Sequence, residues 1–266
     1  MTVTKSETAE PAAVPTVRRR RLSWPGGESV TMLLVAPVLV LAVFAGYVWW
    51  RQAAHLDATE SSILAWSAIR DELLQHIKLT ALSSLIVVAI AVPAGVILTR
   101  GRARAAAPVV VGIANTGQAA PSIGLLALFF IWMGPGMLPA LVGLSLYGLL
   151  PVLRNTITGL QGVDQTLVEA GRGMGMSAVA TLFRIELRLA LPVIMAGVRT
   201  ALVLVVGTAA LATLIGGGGL GDALNSAIAL SRPRAMIASA VLIALLALVV
   251  EWIGRVLELV FRPKGI

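Results

Sequence analysis

Few residues in this chain could make or break a bond. Cysteine is absent and the only histidines are His55 and His76, so residue supply alone removes thiolate chemistry, disulfides and a histidine-built metal site. Ser145 sits in Gly143-Leu-Ser-Leu-Tyr-Gly148, which lacks the Gly-x-Ser-x-Gly spacing of a nucleophile elbow, and no histidine follows it. The run Gly216-Gly-Gly-Gly-Leu-Gly221 lacks the Lys and Ser/Thr that complete a phosphate loop. It reads instead as a flexible turn or a short re-entrant segment. What remains is a polar island, Glu169-Ala-Gly-Arg-Gly-Met-Gly175, followed ten residues later by Ile185-Glu-Leu187. The chemistry on offer there is association rather than catalysis, and the chain is expected not to be an enzyme.

The island has a physical logic. Gly171, Gly173 and Gly175 permit a tight bend and close backbone approach between two short helices. Val168, Met174, Met176, Val179, Leu182 and Phe183 then form an apolar face that fits a partner's groove, with methionine suited to an adaptable contact. Glu169 is placed to cap a helix or to pair with a nearby arginine such as Arg172.

The elements that position this island are membrane spans. Of 266 residues 58% are hydrophobic and only 13% charged, against about 25% charged in soluble domains. Mean hydropathy is +0.90 and the sequence pI about 11.2. In such a chain a net charge of +8 reflects basic loops at a membrane face rather than affinity for nucleic acid. A span needs about 20 apolar residues. Six segments come into consideration, the fourth of them short: Thr31–Trp50, Ile77–Thr99, Ala106–Met133, Leu138–Leu153, Leu189–Ile215 and Ala235–Arg255. Pro121 predicts a kink in the third, or a break near Asn115-Thr-Gly-Gln118. Residues 1–29 are polar, with Arg18 to Arg21 ahead of a long apolar run, and read as a cytoplasmic tail before an uncleaved span rather than a signal peptide.

Lysine and arginine set the orientation. With the N-terminus inside, all basic residues except Arg51, Arg70, Lys78, Arg232 and Arg234 fall on the cytoplasmic side. Both termini are then cytoplasmic, and so is the segment from Glu169 to Arg188. His55 and His76 flank an outer loop, where surface positions are expected. Within the spans, Arg199 is expected to snorkel toward the inner interface and Glu251 to pair with Arg255 at i,i+4. No Asp, Glu or His lies in the middle of the third or fourth span, as an ion-coupled carrier would usually need.

The island resembles the cytoplasmic EAA loop of ABC importer permeases, whose pattern is Glu-Ala-Ala, three residues, Gly, nine residues, Ile, one residue, Leu-Pro. Glu169, Ala170, Gly171, Gly175, Ile185 and Leu187 stand in register with it, and Arg188 replaces the final proline. A wider likeness runs from about His76 to Leu230, through Gln118-Ala-Ala-Pro-Ser122, Tyr147, Pro151, Arg154-Asn-Thr156, Gly173-Met-Gly-Met-Ser177, Leu189-Ala-Leu-Pro192 and Ala196-Gly-Val-Arg-Thr-Ala201. This is similar to the osmoprotectant permeases that import glycine betaine, proline betaine, carnitine or choline.

The resemblance implies an all-α membrane protein with the type I ABC importer (MetI-like) permease fold and six transmembrane helices. The domains would be 1–29 as tail, 30–75 as N-terminal helix and outer loop, 76–258 as the permease domain and 259–266 as a cytoplasmic tail. It further implies work as a dimer with a second copy or a paralogue, on two ATP-binding subunits, fed by an extracytoplasmic solute-binding protein. The setting would be the lipid of a prokaryotic inner membrane. ATP would be used by the partner, with no cofactor, metal or nucleic acid bound by this chain. The six residues in register would form the ATPase-coupling loop, and Gln118, Pro121, Ser122, Trp132, Tyr147 and Asn155 would line the solute path. Methionine or another amino acid is the rival cargo, and an ion-coupled secondary transporter the rival class. The substitution at Arg188 implies a less sharply bent start to the fifth span.

Overall fold

A computed structural model of the chain describes residues 26–261, with side chains from residue 33 onward. Lys5, Arg18 to Arg21, Arg262 and Lys264, which entered the orientation argument, lie outside that range. Among the described residues all regular structure is helical. Helix α1 spans Gly26–Ala53, α2 Ala58–Ile63, α3 Trp66–Leu98, α4 Ala107–Ala119, α5 Ser122–Met133 and α6 Met137–Gln161. After these come α7 Gln165–Gly173, α8 Ala178–Thr181, α9 Leu187–Ala209, α10 Gly221–Ala229 and α11 Pro233–Phe261. Among the described residues five helical segments are long and apolar enough to cross a membrane, and six if α4 and α5, which meet at a bend of 96°, count as one broken span.

The bend falls at Ala120 and Pro121. Proline has no N–H and clashes with the preceding turn, so Ala120 turns extended (φ −65°, ψ 142°) and α5 restarts at Ser122. The third expected span is therefore two half-helices at nearly a right angle, not one kinked rod.

Several spans outrun their expected limits, the second and the fourth among them. The second begins at Trp66, eleven residues before the expected Ile77, because 66–76 is an amphipathic turn of helix rather than an apolar one. Its Ile69 and His76 are buried while Arg70 and Asp71 face out. His76, expected on an outer surface, is thus wholly buried, with Nε2 3.0 Å from the Val206 carbonyl oxygen. The fourth span continues past Leu153 to Gln161. Its polar Thr156 stays helical by donating its hydroxyl to Val152 O at 2.7 Å.

The core lies where α3, α6 and α9 meet. Leu79, Leu144, Val205 and Ala209 form one cluster, and Val87, Val152, Leu153 and Ala201 another. Helices in lipid gain most from close packing at small residues, and Gly148 is such a point. A Cβ there would lie 3.0 Å from both Val87 Cγ2 and Val205 Cγ2.

Helix α11 packs along α9, and α1 along α11. Arg199 lies 3.1 Å from Glu258 and 3.7 Å from Glu251, both on α11, so ion pairs join α9 to α11 as well as packing. At the opposite end the loop between α1 and α2 is tied to the start of α11 by Arg232 to Asp57 at 2.5 Å and by Arg234 to His55 O at 2.9 Å.

The glycine run is pinned rather than flexible. Gly216, Gly218 and Gly219 adopt φ of +76°, +74° and +104°. Gly219 N donates to Gln75 Oε1 at 3.2 Å, and Thr213 Oγ1 donates to Asp222.

Candidate functional site

The polar island folds into a compact helical hairpin at the end of the bundle where α6 finishes and α9 starts. Asp164 opens α7 as its N-cap. It accepts from Thr166 Oγ1 at 2.7 Å and Thr166 N at 2.9 Å, and these bonds hold its carboxyl below the usual carboxylate range. The helix stops by a Schellman closure. Gly175 N donates to Arg172 O at 2.9 Å and Met176 N to Gly171 O at 3.1 Å. Gly175 has φ +82°, in the region where an L side chain meets its own carbonyl. Two residues later Ser177 caps α8, accepting from Ala180 N at 3.2 Å. A π-helical turn, Leu182–Glu186, then leads straight into α9. With Arg188 where a proline is usual, helix runs without interruption from Ala178 to Ile215.

Gly171 is the contact point of the hairpin. A Cβ on it would lie 2.5 Å from Ile185 Cδ1 and 3.5 Å from Met176 Sδ. Ile185 thus fills the space that the family's alanine methyl would need, which gives the Gly171 departure a physical reason. Gly173 has no such constraint, since nothing lies within 4 Å of its Cβ position.

The apolar face is smaller than the sequence suggests, and differently composed. Val168 is buried with Leu160, Val163, Ala190 and Ile194, and Leu182 and Leu187 pack against the same cluster. Those residues anchor the hairpin to the bundle. Met174, Val179 and Phe183 remain outward at 74%, 64% and 62% exposure, joined by Leu167 at 48%, which the sequence reading did not include. Glu169 and Ala170 are exposed as well. Among the described residues Glu169 forms no ion pair, so the expected link to Arg172 is not made.

The acid that is paired is Glu186. Nearly buried, it receives Arg100 Nη2 at 2.5 Å, which ties the loop after α3 to the start of α9. Sequence reasoning passed over Glu186 as the variable residue between Ile185 and Leu187. The available signal was an acid at a helix start opposite the basic run Arg100, Arg102 and Arg104.

Four of the six expected path residues converge on the break between α4 and α5. Gln118 Nε2 is 3.5 Å from Tyr147 O, and the Tyr147 hydroxyl donates to Ala120 O. Pro121 and Ser122 form the corner itself. Trp132 lies ten residues beyond Ser122 on α5, about 15 Å away along the helix, with its ring edge-on to Phe129 at 6.2 Å between centroids. Asn155 lies on α6, where its Cβ would be 2.6 Å from a Cβ on Gly197. It therefore packs into the α6–α9 crossing. The aromatic contacts among the described residues do not join Trp132 to Tyr147, and no cage forms there.

Comparison with known proteins places this arrangement. The family described as "Binding-protein-dependent transport system inner membrane component" matches residues 91–262. The chain is 42% identical over 191 residues to the choline transport system permease protein OpuBB of Bacillus subtilis, covering 72% of this chain and 87% of that one. It is 43% identical over 197 residues to the osmoprotectant import permease protein OsmW of Salmonella typhimurium, covering 72% and 91%. Among solved structures, the inward-facing MetNI methionine ABC transporter superposes with a TM-score of 0.65 over 74% of this chain and 97% of its own, at 23% identity.

Proposed function

The chain belongs to the binding-protein-dependent transport system inner membrane components, and from that membership we infer that it is the permease subunit of an ATP-driven importer for a quaternary ammonium osmoprotectant. Glycine betaine, carnitine, choline and proline betaine form the cargo class. The observation that carries this reading is the hairpin of Gln165 to Glu186. It is anchored by Val168 and Leu187 and offers Leu167, Met174, Val179 and Phe183 outward. An exposed apolar ridge on a rigid base is what a groove-forming partner engages. In this reading the partner is an ATPase subunit, one for each of two permease chains, and the hairpin faces the cytoplasm.

ATP-driven closure of the ATPase pair pushes on the hairpin. Because α8, the π-helical turn and α9 are continuous, the push passes directly into the bundle that faces the α4–α5 break. Solute released by an external binding protein would pass Gln118, Ser122 and Tyr147 at that break. With Trp132 and Tyr147 not brought into one cage among the described residues, selectivity rests with the binding protein, and the path itself binds the solute weakly. The cargo assignment is supported by relatives at 35–43% identity named for choline, carnitine and osmoprotectants. The likeness to a methionine transporter at 23% identity supports the fold alone.

The test is uptake of labelled glycine betaine, carnitine, choline and methionine by vesicles holding the complete complex. Uptake of one or more of the first three, requiring ATP and the binding protein, is expected. Uptake of methionine alone would move the assignment to an amino-acid permease. Uptake on an ion gradient without ATP would overturn the importer reading.

A further inference from the structure

Helices α3 and α9 lie antiparallel along an apolar seam. Near the hairpin Val92 and Val96 share a cluster with Ala190 and Ile194, Ala91 shares one with Ala201 further along, and Leu79 one with Val205 and Ala209 at the far end. In lipid such a seam holds largely by close packing, and packed helices can slide past one another in small shear steps. Here a polar contact fixes the seam at each end.

At the hairpin end Arg100 Nη2 reaches the nearly buried Glu186 at 2.5 Å, the last residue of the π-helical turn. At the far end His76 Nε2 lies 3.0 Å from Val206 O. A carbonyl oxygen only accepts, so Nε2 carries the proton. Helix α9 ends at Ala209, which puts Val206 among its last four carbonyls, those without an intrahelical donor. His76, wholly buried, therefore caps α9 from another helix, where hydrocarbon offers no substitute. Just beyond, Gln75 Oε1 accepts from Gly219 N at 3.2 Å. About 30 Å of helix separates Glu186 from Val206, so the two staples together fix register and rotation.

We propose that α3 and α9 move as one strut, with Arg100 as the positioning residue that passes the hairpin's displacement on to the α4–α5 corner. The inference rests on the permease reading above. From Arg100 the chain needs only the 3₁₀ turn Gly101–Ala106 to reach α4. Arg104 N donates back to Arg100 O at 3.2 Å, so the arginine is built into the base of that turn. Helix α4 then runs to the corner, where the Tyr147 hydroxyl donates to Ala120 O. A push delivered at Glu186 thus reaches the corner along α4 as well as along α9.

The test measures solute taken up per ATP hydrolysed by the complete complex in vesicles. Arg100→Ala with Glu186→Gln removes the pair without leaving a buried charge, and so separates transmission from stability. This double variant is expected to bind the ATPase and hydrolyse ATP, with uptake per ATP down at least about fivefold, the low end of coupling between two sites. Arg100→Cys with Glu186→Cys is specific, since the chain has no cysteine of its own, and the partner subunits are used without reactive cysteine. Its uptake per ATP is expected to be low, to rise when a short bismaleimide bridges the two thiols, and to stay low after N-ethylmaleimide. The cysteine pair decides the matter even if the first variant does not assemble. An unaltered ratio in either double variant would overturn the strut. So would a bridge that leaves the ratio low or stops transport, because α3 and α9 would then have to part during the cycle. Absence of ATP-driven uptake by the unaltered complex would instead remove the importer reading, and this one with it.

Discussion

Gly171 and Ile185 touch across the helical hairpin so closely that a Cβ on the glycine would stand 2.5 Å from Ile185 Cδ1. They are fourteen residues apart, and their contact sets the angle between α7 and the π-helical turn that leads into α9. Replacing Gly171 with Val is expected to push the hairpin open, at about 1–3 kcal/mol for overpacking. Combining it with Ile185→Ala should recover part of the lost transport. Transport by the complete complex, measured for both single variants and the double, checks the coupling. Independent, additive losses would show that the two residues do not act together.

Gly175 and Gly173 separate conformational need from simple spacing. The first has φ +82° and closes the helix, while the second sits in open space. Gly175→Val is expected to cost about 1–2 kcal/mol through the left-handed conformation alone and to weaken ATPase co-purification, with membrane insertion unchanged. Gly173→Ala should behave like the unaltered protein. Equal ATPase recovery from both variants would contradict this assignment.

Arg100 and Glu186 form a half-buried pair at 2.5 Å, with the carboxylate side nearly closed to solvent. Arg100→Ala leaves that charge without its partner and is expected to destabilise the chain by about 1–3 kcal/mol, discounted from a fully buried pair because the arginine side is open. Arg100→Ala combined with Glu186→Gln should restore much of the loss. Thermal unfolding in detergent, followed by the midpoint of aggregation, reads the difference, and Arg102→Ala serves as the neutral control.

The absence of native cysteine makes orientation simple to check. A cysteine at Ser177 is expected to resist an impermeant thiol reagent added to intact cells and to react after lysis. One placed at His55 is expected to react in intact cells. The opposite pattern would invert the topology and remove the hairpin from the reach of a cytoplasmic ATPase.

The spans were legible wherever apolar length alone decides, and so was the corner at Pro121, because proline acts on its own backbone. The hairpin's Schellman turn was legible in Gly175 for the same local reason. Residues 66–76 were not, because that stretch is buried on one face only and carries Arg70, Asp71 and Glu72, which depress any hydropathy window. Partner choice between helices was the least visible. Arg199 on α9 lies 3.7 Å from Glu251 and 3.1 Å from Glu258 on α11, contacts that no spacing along the chain announces. Glu169 fits the sequence pattern while Glu186 makes the ion pair, since pairing follows the bundle's geometry rather than the chain's numbering.

The right-angled corner at Ala120 and Pro121 also bears on the fate of a solitary copy. Ending α4 there leaves its last carbonyls without intrahelical donors, and hydrocarbon offers none, so the Tyr147 hydroxyl, which donates to Ala120 O, supplies only part of what is needed. The corner is at ease facing water or another subunit, and ill at ease facing lipid. A chain made without its partners therefore presents a defect to the bilayer that assembly conceals, a structural tag of orphanhood open to membrane quality control. Pulse–chase labelling should find the chain shorter-lived in cells lacking the partner subunits, and equal lifetimes would mean that the corner is already sheltered within a single copy.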